Sequence, residues 1–244
     1  IDEFKYEGSA LGNWELGGVY LPGEAKDHHL DAYIRHDGEE IAHLGGIYLP
    51  AEEGTGSLSA DIAFEHFPLN VANPFVPDRM VELDGDIDGT LSMKGDPAKP
   101  LLNGELALDS VTFFMPEMSA MFRFDNEPVQ VVNSKMMFKE FDIFTKGKTP
   151  FTINGEVDFS DLERTAVNLK MHAENYELLN APRTKRAMVY GKMYVDFNAT
   201  LRGPVEELVM RGNMNILGKT NVTYVLKDSP LTVNDRLGDM VTFV

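Results

Sequence analysis

Apolar and polar residues alternate with a period of two along most of the 244-residue chain, the signature of strands with one dry and one wet face. The clearest run sets Met193, Val195, Phe197, Ala199 and Leu201 against Tyr194, Asp196, Asn198, Thr200 and Arg202. Phe151, Ile153, Val157 and Phe159 alternate in the same way with Thr152, Asn154, Glu156 and Asp158. So do Val167, Leu169, Met171 and Ala173 with Asn168, Lys170 and His172. Shorter runs carry Ile87, Leu91 and Met93, then Met214 and Ile216, then Val222 and Tyr224. Wetting of one face only points to antiparallel pairing. Gly and Pro cut the runs at roughly 8 to 12 residues, the spacing of an all-β protein of short strands. Helical pattern is confined to Pro68–Met80, interrupted by Pro74 and Pro77, and to Tyr176–Met188, which holds the basic cluster Arg183, Lys185 and Arg186. Both read as short connectors.

Repeats bear on how the strands are arranged. Leu16-Gly17-Gly18-Val19-Tyr20-Leu21-Pro22 returns as Leu44-Gly45-Gly46-Ile47-Tyr48-Leu49-Pro50. A weaker copy relates Met93-Lys94-Gly95 and Asn103–Leu108 to Leu201-Arg202-Gly203 and Arg211–Ile216. Such units suggest a sheet that grows by adding hairpins, each burying its apolar side mainly against near neighbours. About 18 strands spaced at about 4.8 Å would make a sheet roughly 85 Å long. A sheet of that length with one apolar face must close into a barrel, pack as a sandwich, or curl over that face as a trough. Periodicity alone leaves the three open.

Composition narrows the function classes. With 22 Lys+Arg against 39 Asp+Glu the net charge is −17, which argues against nucleic acid as a partner. There is no Cys, so disulfides, thiolate metal sites and cysteine nucleophiles are excluded. No run of about 18 apolar residues is present to span a membrane as a helix. The chain starts at Ile1 without an initiating Met and ends at Val244 in what reads as a strand, so it is expected to be a fragment whose targeting signal or anchor lies elsewhere.

Asp84-Gly85-Asp86-Ile87-Asp88-Gly89 matches the first half of a calcium loop, but the twelfth position is Gly95 where a bidentate Glu belongs. The alternation through Ile87, Leu91 and Met93 reads these Asp residues instead as the wet face of a strand. None of the six His forms an i, i+2 or i, i+4 pair. No metal or cofactor is expected. No nucleophile elbow, phosphate loop or dinucleotide fingerprint occurs, so the expectation is a protein without catalysis. The 13 Met and 15 Phe fall largely on inward positions. They suit ordinary core packing, and equally a wall for varied apolar guests, since Met is flexible and polarizable.

Three segments resemble the TamB family (translocation and assembly module subunit) within the AsmA-like bridge-type lipid transfer proteins. They are Phe67–Pro77, Leu83–Leu108 and, most specifically, Asn221–Asp235. The resemblance implies a β-taco: a long, predominantly antiparallel sheet curled into a U-shaped trough with an apolar interior and few short helical connectors. Residues 1–66 would be a repeat segment of the rod and 67–244 the TamB-like segment, in one elongated domain. The parent protein would sit in the periplasm, anchored in the inner membrane at its N-terminus. Its partners would be phospholipid or fatty acyl chains and an Omp85/TamA-like outer-membrane barrel. The implied roles are phospholipid transport and assembly of outer-membrane proteins. On this reading the groove is lined by Phe151, Ile153, Val157, Phe159, Leu169, Met171, Met193, Val195, Phe197, Leu201, Met214, Ile216, Val222 and Tyr224.

Overall fold

The computed structural model describes residues 1–225 except 7–8, 24–25, 53, 77–80, 117–119 and 184–188. After a two-strand hairpin, β1 (Lys5–Tyr6) and β2 (Ser9–Ala10), the chain makes β3 (Trp14–Pro22), β4 (His28–His36), β5 (Glu39–Leu49) and β6 (Ser57–Pro68). There follow β7 (Glu82–Gly95), β8 (Leu101–Met115), β9 (Ala120–Phe124), β10 (Val129–Val132), β11 (Lys135–Phe144) and β12 (Phe151–Asp158). The series ends with β13 (Ala166–Ala181), β14 (Val189–Pro204), β15 (Val209–Ile216) and β16 (Asn221–Tyr224). Strands β3 to β16 form one 14-stranded antiparallel sheet in near-sequential order. The all-β, antiparallel expectation therefore holds.

Two positions in the sheet are shared. β9 and β10 together fill the gap between β8 and β11, and β15 and β16 pair with successive halves of β14. Of the two expected connectors, the first contains a 3₁₀ run at Leu69–Phe75. Within it Asn73 imitates a strand: its Nδ2 donates to the Leu83 carbonyl at 2.8 Å while its Oδ1 accepts from the Leu83 N–H at 2.6 Å. The second expectation is corrected over Tyr176–Ala181, which continues β13. Tyr176 pairs with Val195 and Ala181 with Gly191, and this long-range pairing with β14 outweighs the local pattern. Residues 184–188, with Lys185 and Arg186, lie outside the described residues.

Register carries the apolar face across the whole sheet. Gly18, Ala32, Leu44, Ile62, Leu91, Gly104, Val131, Met136, Val157, Val167 and Gly203 stand directly opposite one another in turn, one row crossing eleven strands. Directly opposed residues share a face, so no strand is flipped. Gly155 shows how tightly neighbouring strands approach: its φ is +134° and a Cβ there would lie 2.1 Å from the Asn168 carbonyl oxygen.

The strands carry a repeated irregularity. β6, β11 and β13 each contain a bulge whose middle residue takes positive φ without being glycine: His66, Glu140 and Asn175. In every case the bulged N–H donates to a side chain of the next strand: His66 to Asp88 at 2.8 Å, Glu140 to Asn154 at 2.9 Å, Asn175 to Asp196 at 2.7 Å. Bulges bend a strand and increase its twist. Beyond its bulge, β13 has no β12 partner and leans toward β9, which it approaches within 8 Å between Cα atoms. Three strand spacings in a flat sheet would separate them by about 14 Å. The sheet curls locally, and the largest core lies there, joining Ala120 and Phe122 to Phe141, Ile143, Ile153, Met171 and Leu179.

Candidate functional site

The dry face is the feature that composition and motifs leave as the candidate site. Its rows run across β11 to β15 without a break. Ile143, Phe151, Ala173, Phe197 and Met214 form one; Phe141, Ile153, Met171, Ala199 and Gly212 the next; Phe138, Gly155, Leu169, Leu201 and Met210 a third. Val195, two residues before Phe197, pairs with Tyr176 on one side and Ile216 on the other.

The fourteen residues expected on this face divide by cover. Ile153, Met171 and Val195 are buried, while Phe151, Val157, Leu169, Met193, Phe197, Leu201 and Val222 are half-buried and packed on the same side. Phe159 is half-buried against the separate cluster of Leu91, Leu106 and Val131. Met214, Ile216 and Tyr224 are exposed, at 54%, 62% and 59%. Met210, in the same row as Leu201, is 60% exposed. The face is thus packed through β9–β14 and uncovered at β15.

Exposure returns at the other end of the sheet, where Leu16 is 79% exposed although it continues the row of Ile34, Ala42 and Phe64. There the sequence repeat acquires a structural meaning. Its two copies lie on β3 and β5, flanking β4, so that Tyr20 and Tyr48 approach the His28 ring from both sides, with centroids 5.0 and 6.0 Å away.

Polar groups on the packed stretch are few. The Tyr176 hydroxyl is buried and has no hydrogen-bond partner among the described residues, and burial pushes this phenol well above its ordinary range. Beside it the buried Glu177 accepts from Tyr194 at 2.8 Å and from Asn180 at 2.8 Å, and the bond to Glu177 raises the Tyr194 phenol. The packed stretch offers chiefly apolar contact.

The acidic run on β7 has a mechanical use in Asp88, which clamps the His66 bulge and lies 3.4 Å from the His66 ring. The clamps Asp88, Asn154 and Asp196 were not legible as such from residue type. Their signal is a slipped period: Phe64/Phe67, Phe138/Phe141 and Ala173/Tyr176 are same-face residues three apart where alternation demands two.

No helix among the described residues is long and apolar enough to cross a membrane. No curated protein and no solved structure matches the chain. The family model of the TamB C-terminal domain matches residues 140–244, which begin at the bulge of β11 and contain β12 to β14 of the packed stretch, the open edge and the Asn221–Asp235 motif. By that match residues 140–244, somewhat under half of the chain, are similar to the TamB C-terminal domain.

Proposed function

We propose that this chain is a periplasmic segment of an envelope-spanning protein and that its dry face, curled as a trough, shields the acyl chains of phospholipids passing between inner and outer membranes. The similarity of residues 140–244 to the TamB C-terminal domain supports a role in envelope assembly or lipid transport. The observation that carries the finer reading is an apolar face that one row follows over eleven strands and that neighbouring rows carry on to exposed Met210, Met214 and Ile216 of β15. A chain of about 16 methylenes would lose on the order of 13 kcal/mol on entering water, at about 0.8 kcal/mol per methylene. An apolar face removes most of that cost without holding the lipid tightly, because lining and bilayer interior are similar solvents. Phe159 and the other thirteen residues expected on the face are its lining in this proposal. An N-terminal anchor in the inner membrane and an outer-membrane barrel as receiving partner complete it.

The test is extraction and mass spectrometry of lipids that co-purify with the chain from a bacterial envelope. Phospholipid should be present, and lost in the Met210→Asp/Met214→Asp variant, both positions being exposed enough to leave the fold intact. A lipid-free chain that takes up no fluorescent acyl probe would overturn the proposal.

A second reading rests on β15. Among the described residues it pairs with β14 alone, leaving an edge free to accept a strand of an unfolded outer-membrane protein. Pro placed at an outward N–H of β15 should abolish such capture while sparing lipid uptake.

A further inference from the structure

The opposite, wet face of the same strands carries a feature that the trough does not use. In a chain of net charge −17, Lys170 on β13, Arg202 on β14 and Arg211 on β15 sit together on that face. Lys170 stands opposite Thr200 and Thr200 opposite Arg211, while Arg202 is two residues along from Thr200. Arg202 is therefore diagonal to both other cations, at about 7 to 8 Å between backbones, within reach of long side chains. All three are exposed, and none has a salt bridge or side-chain hydrogen bond among the described residues. Lys170, Thr200 and Arg211 line a depression of about 620 Å³ with Asn198 and His172.

Several acids on this face are already engaged, while Glu206 and Glu207, exposed in the turn between β14 and β15, stand at the Arg202 end. Glu156 and Asp158 hold Lys135 at 2.9 and 3.2 Å, Asp142 accepts from Thr152 at 2.6 Å, and Asp196 clamps the Asn175 bulge. Glu174 lies 3.8 Å from His172. At physiological salt a charge is felt over about 8 Å, so the distant surplus of carboxylates does not cancel the patch.

We infer that Lys170, Arg202 and Arg211 form a docking surface for the anionic headgroup plane of a membrane. Three cations on one β-face match a layer of phosphates, and the acidic remainder of the chain is repelled by that layer, so contact is confined to this end and the sheet is held off the surface elsewhere. The headgroups touched here are not those of lipids on the dry face, since the sheet lies between the two.

The test is flotation of the chain with vesicles of phosphatidylcholine alone or with phosphatidylglycerol added, at low and physiological salt. Binding should require phosphatidylglycerol and weaken with salt. K170Q/R202Q/R211Q should bind roughly 100-fold more weakly, from about a tenfold loss per 1.4 kcal/mol and about 1 kcal/mol per cation. A control of equal charge change, K5Q/K94Q/K139Q, should bind as the parent does. Equal loss in patch and control variants, binding to phosphatidylcholine alone, or no vesicle binding at all would overturn the inference. So would full competition by millimolar inorganic phosphate, which would mark a small-anion site, and capture of an acidic polypeptide with no vesicle binding, which would mark a protein surface. The vesicle comparison on the parent chain stands whether or not the variants fold.

Discussion

β13 and β15 both pair with β14 and share its rows, yet they live in different surroundings. Ala173 and Met214 flank Phe197 on the same face, and the first is 1% exposed while the second is 54% exposed. Strand pairing is the same on both sides of β14. The difference is what stands over the strand: β13 bulges at Asn175 and leans onto β9, whereas nothing among the described residues covers β15. A period of two therefore states which face is dry and says nothing of whether that face is filled. In the packed stretch the apolar residues hold the fold together, and at the open edge the same residue types are available to a guest.

Charge placed in the packed stretch and at the open edge should separate the two most sharply. Val195→Asp buries an unpaired carboxylate beside Tyr176 and Ala173, and its urea midpoint should fall by the equivalent of more than about 4 kcal/mol. Met214→Asp, on the same face, should stay within about 0.5 kcal/mol of the parent. Equal losses would mean that the edge is covered after all.

The bulge clamps give the next largest effect. Asp196→Ala removes a charged acceptor from the bulge that swings β13 onto β9, and should cost about 1 to 2 kcal/mol in chemical denaturation. Asp88→Ala does the same at the β6 bulge, outside the largest core, and should cost less than about 1 kcal/mol. A reversed order would show that the β13 bulge is not what closes the packed stretch.

Strand type and one-faced wetting were legible because β12, β13 as far as Ala173, and β14 keep alternation and Gly or Pro marks their ends; Phe159 follows from the same period although it packs in another cluster. Tyr176–Ala181 misled because the bulge at Asn175 shifts the period by one, so that inward residues fall at spacings that imitate a helix. Packing against β9 was not legible at all. It depends on β12 stopping short of the β13 bulge, a length difference that no local pattern records. The cation patch escaped notice because its members lie on three strands and meet only through register.

A smaller contrast lies between two tyrosines. Tyr176→Phe deletes a buried hydroxyl without a partner among the described residues and should leave thermal stability unchanged or raise it by up to about 1 kcal/mol, whereas Tyr194→Phe deprives Glu177 of a donor and should lower it by about 1 kcal/mol. The Tyr176 phenol is raised in the folded chain above its ordinary 10.0, so above that pH the folded state holds the additional proton. Its contribution to stability is complete below pH 10 and declines as pH rises further. Phenolate absorbance on alkaline titration should show one tyrosine ionising only with unfolding, and that component should vanish in Tyr176→Phe.

The central claim, that the dry face at the open edge receives acyl chains, is tested most directly by neighbouring positions on opposite faces. A photo-crosslinking residue placed at Met214 or at Asn213, with the chain expressed in a bacterial envelope, reads the two faces of β15 one residue apart. The account predicts adducts on lipid acyl chains at position 214 and none on acyl chains at 213, where the docking face would give headgroup adducts alone. Acyl-chain adducts at neither position, or equally at both, would contradict it.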